Sequence, residues 1–131
     1  MPPLFHIILS TIIAAILYPF YGIWVLAAYI SGVLVDVDHL IEYFKTEKAL
    51  SFKKLKHYYK TTDFDNIFQP FHSVEFLIIL IILSFYHEVF IVLAVSYSFH
   101  YAVDFIFQIN NDFLHHRNFS FFYWIYQKSF K

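Results

Sequence analysis

Apolar residues in this chain do not alternate with polar ones; they come in long blocks. From Ile7 to Val35 there is no Asp, Glu, Lys, Arg or His, and the block is punctuated only by Tyr18-Pro19-Phe20-Tyr21-Gly22, a proline and glycine turn signal. The pattern predicts two helices in a hairpin. Each half, roughly 15 residues, would rise about 22 Å, a little short of a full bilayer crossing, which implies tilt or local thinning. A second apolar block from His72 to Ile109 is interrupted at His87-Glu88, predicting another hairpin of helices over 73–86 and 89–107.

The stretch between the blocks, Asp36 to Pro70, is different in kind. It holds Asp36, Asp38, Glu42, Glu47, Asp63 and Asp65 together with Lys45, Lys48, Lys53, Lys54, Lys56 and Lys60. It is expected to be an aqueous loop with an amphipathic helix around Ser51 to Tyr59, where Phe52, Leu55 and Tyr59 share one face. After Asn110-Asn111-Asp112 the tail from Phe113 to Lys131 is rich in Phe, Tyr and Trp, the make-up of an interfacial segment.

Composition decides the solvent. The 131 residues are 60% hydrophobic, 24% aromatic and only 15% charged, and a soluble domain of this size would leave much of that surface in water. The expected fold is therefore all-α: one domain, residues 1–131, forming an integral membrane bundle of about four short transmembrane helices, with membrane lipids as partners. Met1 to Phe5 lacks the basic region of a secretory signal, and the first block is expected to be retained. Four spans would put the N-terminus, the central loop and the tail on one side, together with all nine lysines and arginines. The positive-inside rule makes that side cytoplasmic, in the inner or plasma membrane of the cell. The net charge of −1 is silent about nucleic acid, but the aromatics sit inside apolar runs rather than between cations, and without a basic stripe a nucleic-acid binder is not expected. With no cysteine, a metal could be held only by imidazole and carboxylate.

On this topology the ionisable groups of the apolar blocks share one end. His6 opens the first helix, Asp36, Asp38 and His39 close the second, His72 and Glu75 open the third, and His100 and Asp104 close the fourth. Asp36/His39 and His72/Glu75 are i,i+3 pairs and His100/Asp104 is an i,i+4 pair, spacings that put two groups on one helical face. Such groups are costly inside a membrane unless partnered, and a divalent cation satisfies several carboxylates at once. Mixed imidazole and carboxylate ligands favour zinc, with manganese or iron next, and eight candidates are enough for one or two ions. A water activated by such an ion suits hydrolysis. The candidate acids and bases are Asp36, Asp38 and Glu75.

His-Ile-Ile-Leu-Ser at 6–10, Asp-Val-Asp-His at 36–39, Phe-His-Ser at 71–73 and His100-x-x-x-Asp104 resemble, in order and spacing, the motifs of the YdjM-like (LexA-binding, inner-membrane) metal-dependent hydrolases. That family is in turn distantly similar to zinc-dependent phospholipase C and P1-type nuclease. The resemblance implies hydrolysis of a small-molecule or lipid head-group phosphoester, with His6, Asp36, His72, His100 and Asp104 as metal ligands and Asp104 as a bridge between two ions. The chain departs from the family pattern at Val35, where a proline is usual, and at Ile67-Phe68-Gln69, which stands where the family has His-Arg-Gly.

Blander readings exist for each feature. His100 and Asp104 could be a polar pair joining helices, the Asp-Val-Asp-His run could be a water-facing helix end, and His57, His115 and His116 read as solvated or interfacial. Two other functions compete with the hydrolase: an ion- or proton-handling transporter subunit, and a catalytically inactive structural or regulatory membrane protein. The sequence leaves the oligomeric state open.

Overall fold

The computed structural model describes residues 3–47, 51, 53–55, 69–110 and 120–129. Among the described residues there are helices and no strands. The first helix, α1 (Pro3–Tyr21), carries Pro19 in its last turn. The chain then reverses at Gly22, whose φ of +52° is a left-handed conformation that glycine adopts without strain. At 19 residues, or about 28 Å, α1 is longer than the predicted half of the hairpin. The returning leg is broken into a 3-10 turn (Gly22–Leu26), α2 (Ala27–Gly32), a second 3-10 turn (Leu34–Asp36) and α3 (Val37–Glu47).

Two sequence expectations need correction here. Asp38 and His39 open α3 rather than closing the second helix, and the expected aqueous loop begins as helix. Asp38 in the first turn of α3 and Lys45 in the last suit the helix dipole. Of the amphipathic helix expected over 51–59, residues 53–55 are helical and Leu55 N–H donates to the Ser51 carbonyl. Phe52 and residues 56–59, like Asp63, Asp65, His115 and His116, lie outside the described residues.

The second hairpin starts with a 3-10 turn (Pro70–His72) and continues as α4 (Val74–Ser84) and α5 (Glu88–Asn110). Ser73 caps α4, its Oγ accepting from Phe76 N–H. The reversal falls at Phe85-Tyr86-His87, close to the predicted tip, and His87 Nδ1 accepts from Val89 N–H at the start of α5. Two stretches are long and apolar enough to cross a membrane, Leu4–Lys45, which folds back at Gly22, and Glu88–Phe107; the apolar α4 is shorter. The last helix, α6 (Phe121–Ser129), presents its aromatic side chains largely to the exterior.

Pairings along the helices set the register. Thr11 Oγ1 lies 3.0 Å from Tyr29 OH, Ser96 Oγ donates to Ala28 O, and Tyr97 OH donates to Ser73 O. The edge of Trp24 meets the ring of His87 at 5.1 Å, so both hairpin tips lie at one end of the bundle. From there, α1, the returning leg and α5 contribute matched layers, one helical turn apart. Ala14, Ala28 and Val92 form a buried apolar layer. Ser10, Gly32 and Ser96 come next, all buried. His6, Asp36 and His100 form the layer at the far end. Outward-facing Ile16, Phe20, Ile23, Ile79, Ile82 and Phe85 are exposed, so the exterior of the bundle is apolar as well.

Candidate metal centre

Five separate segments deliver side chains to the layer opposite the tips. His6 comes from the first turns of α1, Asp36 from the end of the second 3-10 turn, Asp38 and His39 from the start of α3, His72 from the turn before α4, and His100 and Asp104 from successive turns of α5. All except Asp36 are buried, and Asp36, with its side chain 26% exposed, is the opening of the cluster.

The ligating atoms converge in two groups that share Asp36. In the first, one atom each from His6, Asp36, His100 and Asp104 lie within 4.8 Å of one another; in the second, the same holds for Asp36, His39 and His72. His6 Nε2 is 3.7 Å from Asp36 Oδ2 and 3.6 Å from Asp104 Oδ1. His100 Nε2 is 3.6 Å from both Asp36 Oδ1 and Asp104 Oδ2. These separations exceed a good hydrogen bond but approach the edge of a coordination tetrahedron, about 3.3 Å for bonds near 2.0–2.1 Å. His72 Nε2 lies 3.1 Å from Asp36 Oδ1 and 3.3 Å from His100 Nε2, and His39 Nε2 is 3.9 Å from Asp36 Oδ1. These buried His and Asp groups can hold a metal ion.

The outer nitrogens explain why the inner ones are available. His100 Nδ1–H donates to the Gly32 carbonyl at 3.0 Å, and His72 Nδ1–H donates to Asp38 Oδ2 at 2.8 Å. A neutral imidazole that donates from Nδ1 keeps a lone pair on Nε2, and a carbonyl or carboxylate behind the ring is the usual support of a ligating histidine. The Gly32 carbonyl is available because the backbone tightens there: Asp36 N–H donates to Val33 O, three residues back, rather than to Gly32 four back. His6 is 1% exposed and neither of its nitrogens has a hydrogen-bond partner among the described residues. A buried imidazole left that way is costly, and a cation at Nε2 removes half of the deficit.

The predicted residues therefore do different things. His6, Asp36, His39, His72, His100 and Asp104 face the centre. Asp38 Oδ2 meets the Nδ1 side of His72, and its Oδ1 is buried with no hydrogen-bond partner among the described residues. Asp36 is common to both groups, and Asp104 belongs to the first.

Glu75 is elsewhere. Ser73 has the extended backbone of an N-cap (φ −103°, ψ 151°), so His72 and Glu75 do not belong to one helix and their i,i+3 spacing does not put them on one face. Glu75 instead accepts from Ser120 Oγ at 2.6 Å and from Phe121 N–H at 3.1 Å, at the N-terminus of α6. It lies apart from the residues that converge on the cluster.

Sequence reasoning missed two contributors. Gly32 gives its carbonyl to His100, and its only signal is a glycine one turn before Asp36. Gln69 places its side-chain amide on His39 Nδ1, and its identity among polar loop residues carries no such signal. Comparison of the chain with protein-family models, with curated proteins and with solved structures finds no match.

Proposed function

We propose that this protein is a membrane-embedded hydrolase of phosphoesters that works with a pair of divalent cations, zinc by the chemistry of its ligands. His6, His100 and Asp104 would hold one ion, His39 and His72 the other, with Asp36 shared. The observation that carries the reading is the meeting of His72 Nε2 and His100 Nε2 at 3.3 Å beside Asp36 Oδ1. Both rings donate from Nδ1, so in their neutral form the two Nε2 lone pairs and the carboxylate confront one another, and the space between them calls either for a proton on His72 Nε2 donated to Asp36 Oδ1 at 3.1 Å or for a cation. Cations resolve that confrontation. Three buried or partly buried carboxylates, Asp36, Asp38 and Asp104, call for the same positive charge.

Such ions supply Lewis-acid polarisation of a phosphoryl oxygen and an activated water. The chain's own contribution is placement. Asp38 and the Gly32 carbonyl hold the His72 and His100 rings at fixed tautomer and angle, and the closed layer of Ala14, Ala28 and Val92 beneath keeps bulk water from the far side. Substrate reaches the centre at Asp36. Its chain neighbours Leu34 and Val37, with Phe5 beside His6 and Phe105 beside Asp104, are exposed apolar side chains. An apolar exterior of that kind suits a phosphoester carried on a lipid better than a free polar metabolite.

The apolar exterior supports a bilayer as the surrounding solvent, with the two hairpins forming a short four-helix bundle; the 11-residue α4, about 16 Å long, requires a locally thinned membrane or a neighbouring chain. The positive-inside rule puts the cluster on the cytoplasmic side. The transporter reading is disfavoured by the same apolar layer, since a relay needs polar groups at several depths.

The test is elemental analysis of detergent-purified protein together with hydrolysis of bis-p-nitrophenyl phosphate and of lipid phosphoesters. Bound zinc, with activity removed by a chelator and restored by zinc, supports the proposal. Protein that neither copurifies with nor rebinds a divalent metal refutes it. Full metal occupancy with no hydrolysis of any phosphoester assigns the protein to the inactive class.

A further inference from the structure

Gln69 is 1% exposed and belongs to the turn that delivers His72. Its backbone carbonyl accepts from His72 N–H at 3.0 Å, while its side-chain amide meets His39 Nδ1 across 30 residues of chain. The turn is held at its other end as well: Ser73 Oγ donates to Pro70 O, and Tyr97 OH from α5 donates to Ser73 O, each at 3.0 Å. One short peptide thus positions both histidines of the second group, whose rings lie 4.8 Å apart.

His39 is the one member of that group whose support is an amide, which has two ends of opposite sense. The structure places the NH2 toward Nδ1; in that sense the ring nitrogen accepts, the neutral ring carries its proton on Nε2, and Nε2 cannot ligate until the amide turns over. With the amide oxygen toward Nδ1, Nδ1–H donates and the Nε2 lone pair points toward Asp36. His72 and His100 both donate from Nδ1, to Asp38 and to Gly32 O. The same sense at His39 gives the second group a complete ligand set.

We infer that Gln69 is a positioning residue which, with its amide turned over from the placement in the structure, presents its side-chain oxygen to His39 Nδ1–H and thereby makes Asp36, His39 and His72 a second cation site. The inference rests on the proposed metal reading and deepens it. Gln69 touches neither the ions nor the substrate; it acts through His39.

The experiment uses zinc titration of the detergent-purified full chain against a competing chelator, for wild type, Gln69→Leu and Gln69→Glu. Wild type is expected to bind two ions. Gln69→Leu is expected to bind the first with unchanged affinity and the second about 10–100-fold more weakly, the usual cost of losing a supporting hydrogen bond. Gln69→Glu, whose carboxylate can only accept from Nδ1–H, is expected to keep the second ion. Unchanged binding of both ions by Gln69→Leu, or equal loss of the second ion in Leu and Glu variants, overturns the inference. Wild type binding a single ion overturns it too while leaving the metal reading in place; wild type binding none overturns the metal reading itself. Long-range proton–nitrogen NMR of metal-free wild type needs no variant: a proton on His39 Nδ1 supports the inference, and a neutral ring protonated at Nε2 overturns it.

Discussion

Gly32→Ala isolates the close approach of helices on which the metal layer is built. The backbone at Gly32 is not left-handed, so alanine carries no conformational penalty there; the cost is room. An added Cβ would sit 2.0 Å from Ser10 Oγ, 3.2 Å from Ser10 Cβ and 3.0 Å from Ser96 Oγ. Atoms cannot remain at the first distance, so α1 or the Ser10 side chain must move, and overpacking of this kind costs about 2–3 kcal/mol. Ser10→Ala removes the offending oxygen. That hydroxyl is buried without a hydrogen-bond partner, so its loss alone should cost about 0.5 kcal/mol or less.

In the double variant the contacts at 3.0 and 3.2 Å remain, and a residual cost of about 1 kcal/mol is expected, which makes the coupling between the two sites about 1–2 kcal/mol. Reversible unfolding in mixed micelles, followed by far-ultraviolet circular dichroism in the presence of a chelator, measures the three differences without any contribution from bound metal. Additive effects, or a Gly32→Ala variant as stable as wild type, would refute the layer of Ser10, Gly32 and Ser96 as described.

Three further outcomes follow from the centre and its surroundings. Asp36→Asn should reduce zinc content by more than either His6→Ala or His39→Ala, because it alone belongs to both ligand groups; equal losses in elemental analysis would deny it the shared position. Asp38→Asn should leave the fold intact but weaken zinc binding about 10–100-fold by removing the carboxylate behind His72, as measured by chelator competition. Glu75→Ala should leave zinc content unchanged while releasing the first turn of α6, seen as faster amide exchange over 121–124; loss of zinc in that variant would restore Glu75 to the ligand set.

Much of the architecture was legible because it follows from local rules. The apolar blocks, the proline and glycine at 19 and 22, and the clustering of ionisable residues at block ends predicted the first hairpin and, from the His87-Glu88 interruption, the second. His100 and Asp104 met as their i,i+4 spacing required, since they lie within one continuous helix. The same reasoning failed for His72 and Glu75: Ser73 is a capping residue, and the helical period does not run across a cap. Nor could it pair Asp38 with a partner, since its spacing from Asp36 does not reveal that Oδ2 meets His72 Nδ1.

The sequence by itself determined which residues could not be left in an apolar environment and at which end of each helix they lie, because hydrophobic periodicity and turn chemistry act over a few residues. Only the tertiary structure decided which of them meet. Sharing of Asp36 between two groups, support of His72 by Asp38, the Gly32 carbonyl behind His100 and the amide of Gln69 on His39 join residues 30 to 70 positions apart. Such pairings depend on helix register and on backbone tightening at Val33, which emerge when the layers pack and are not encoded by any one segment.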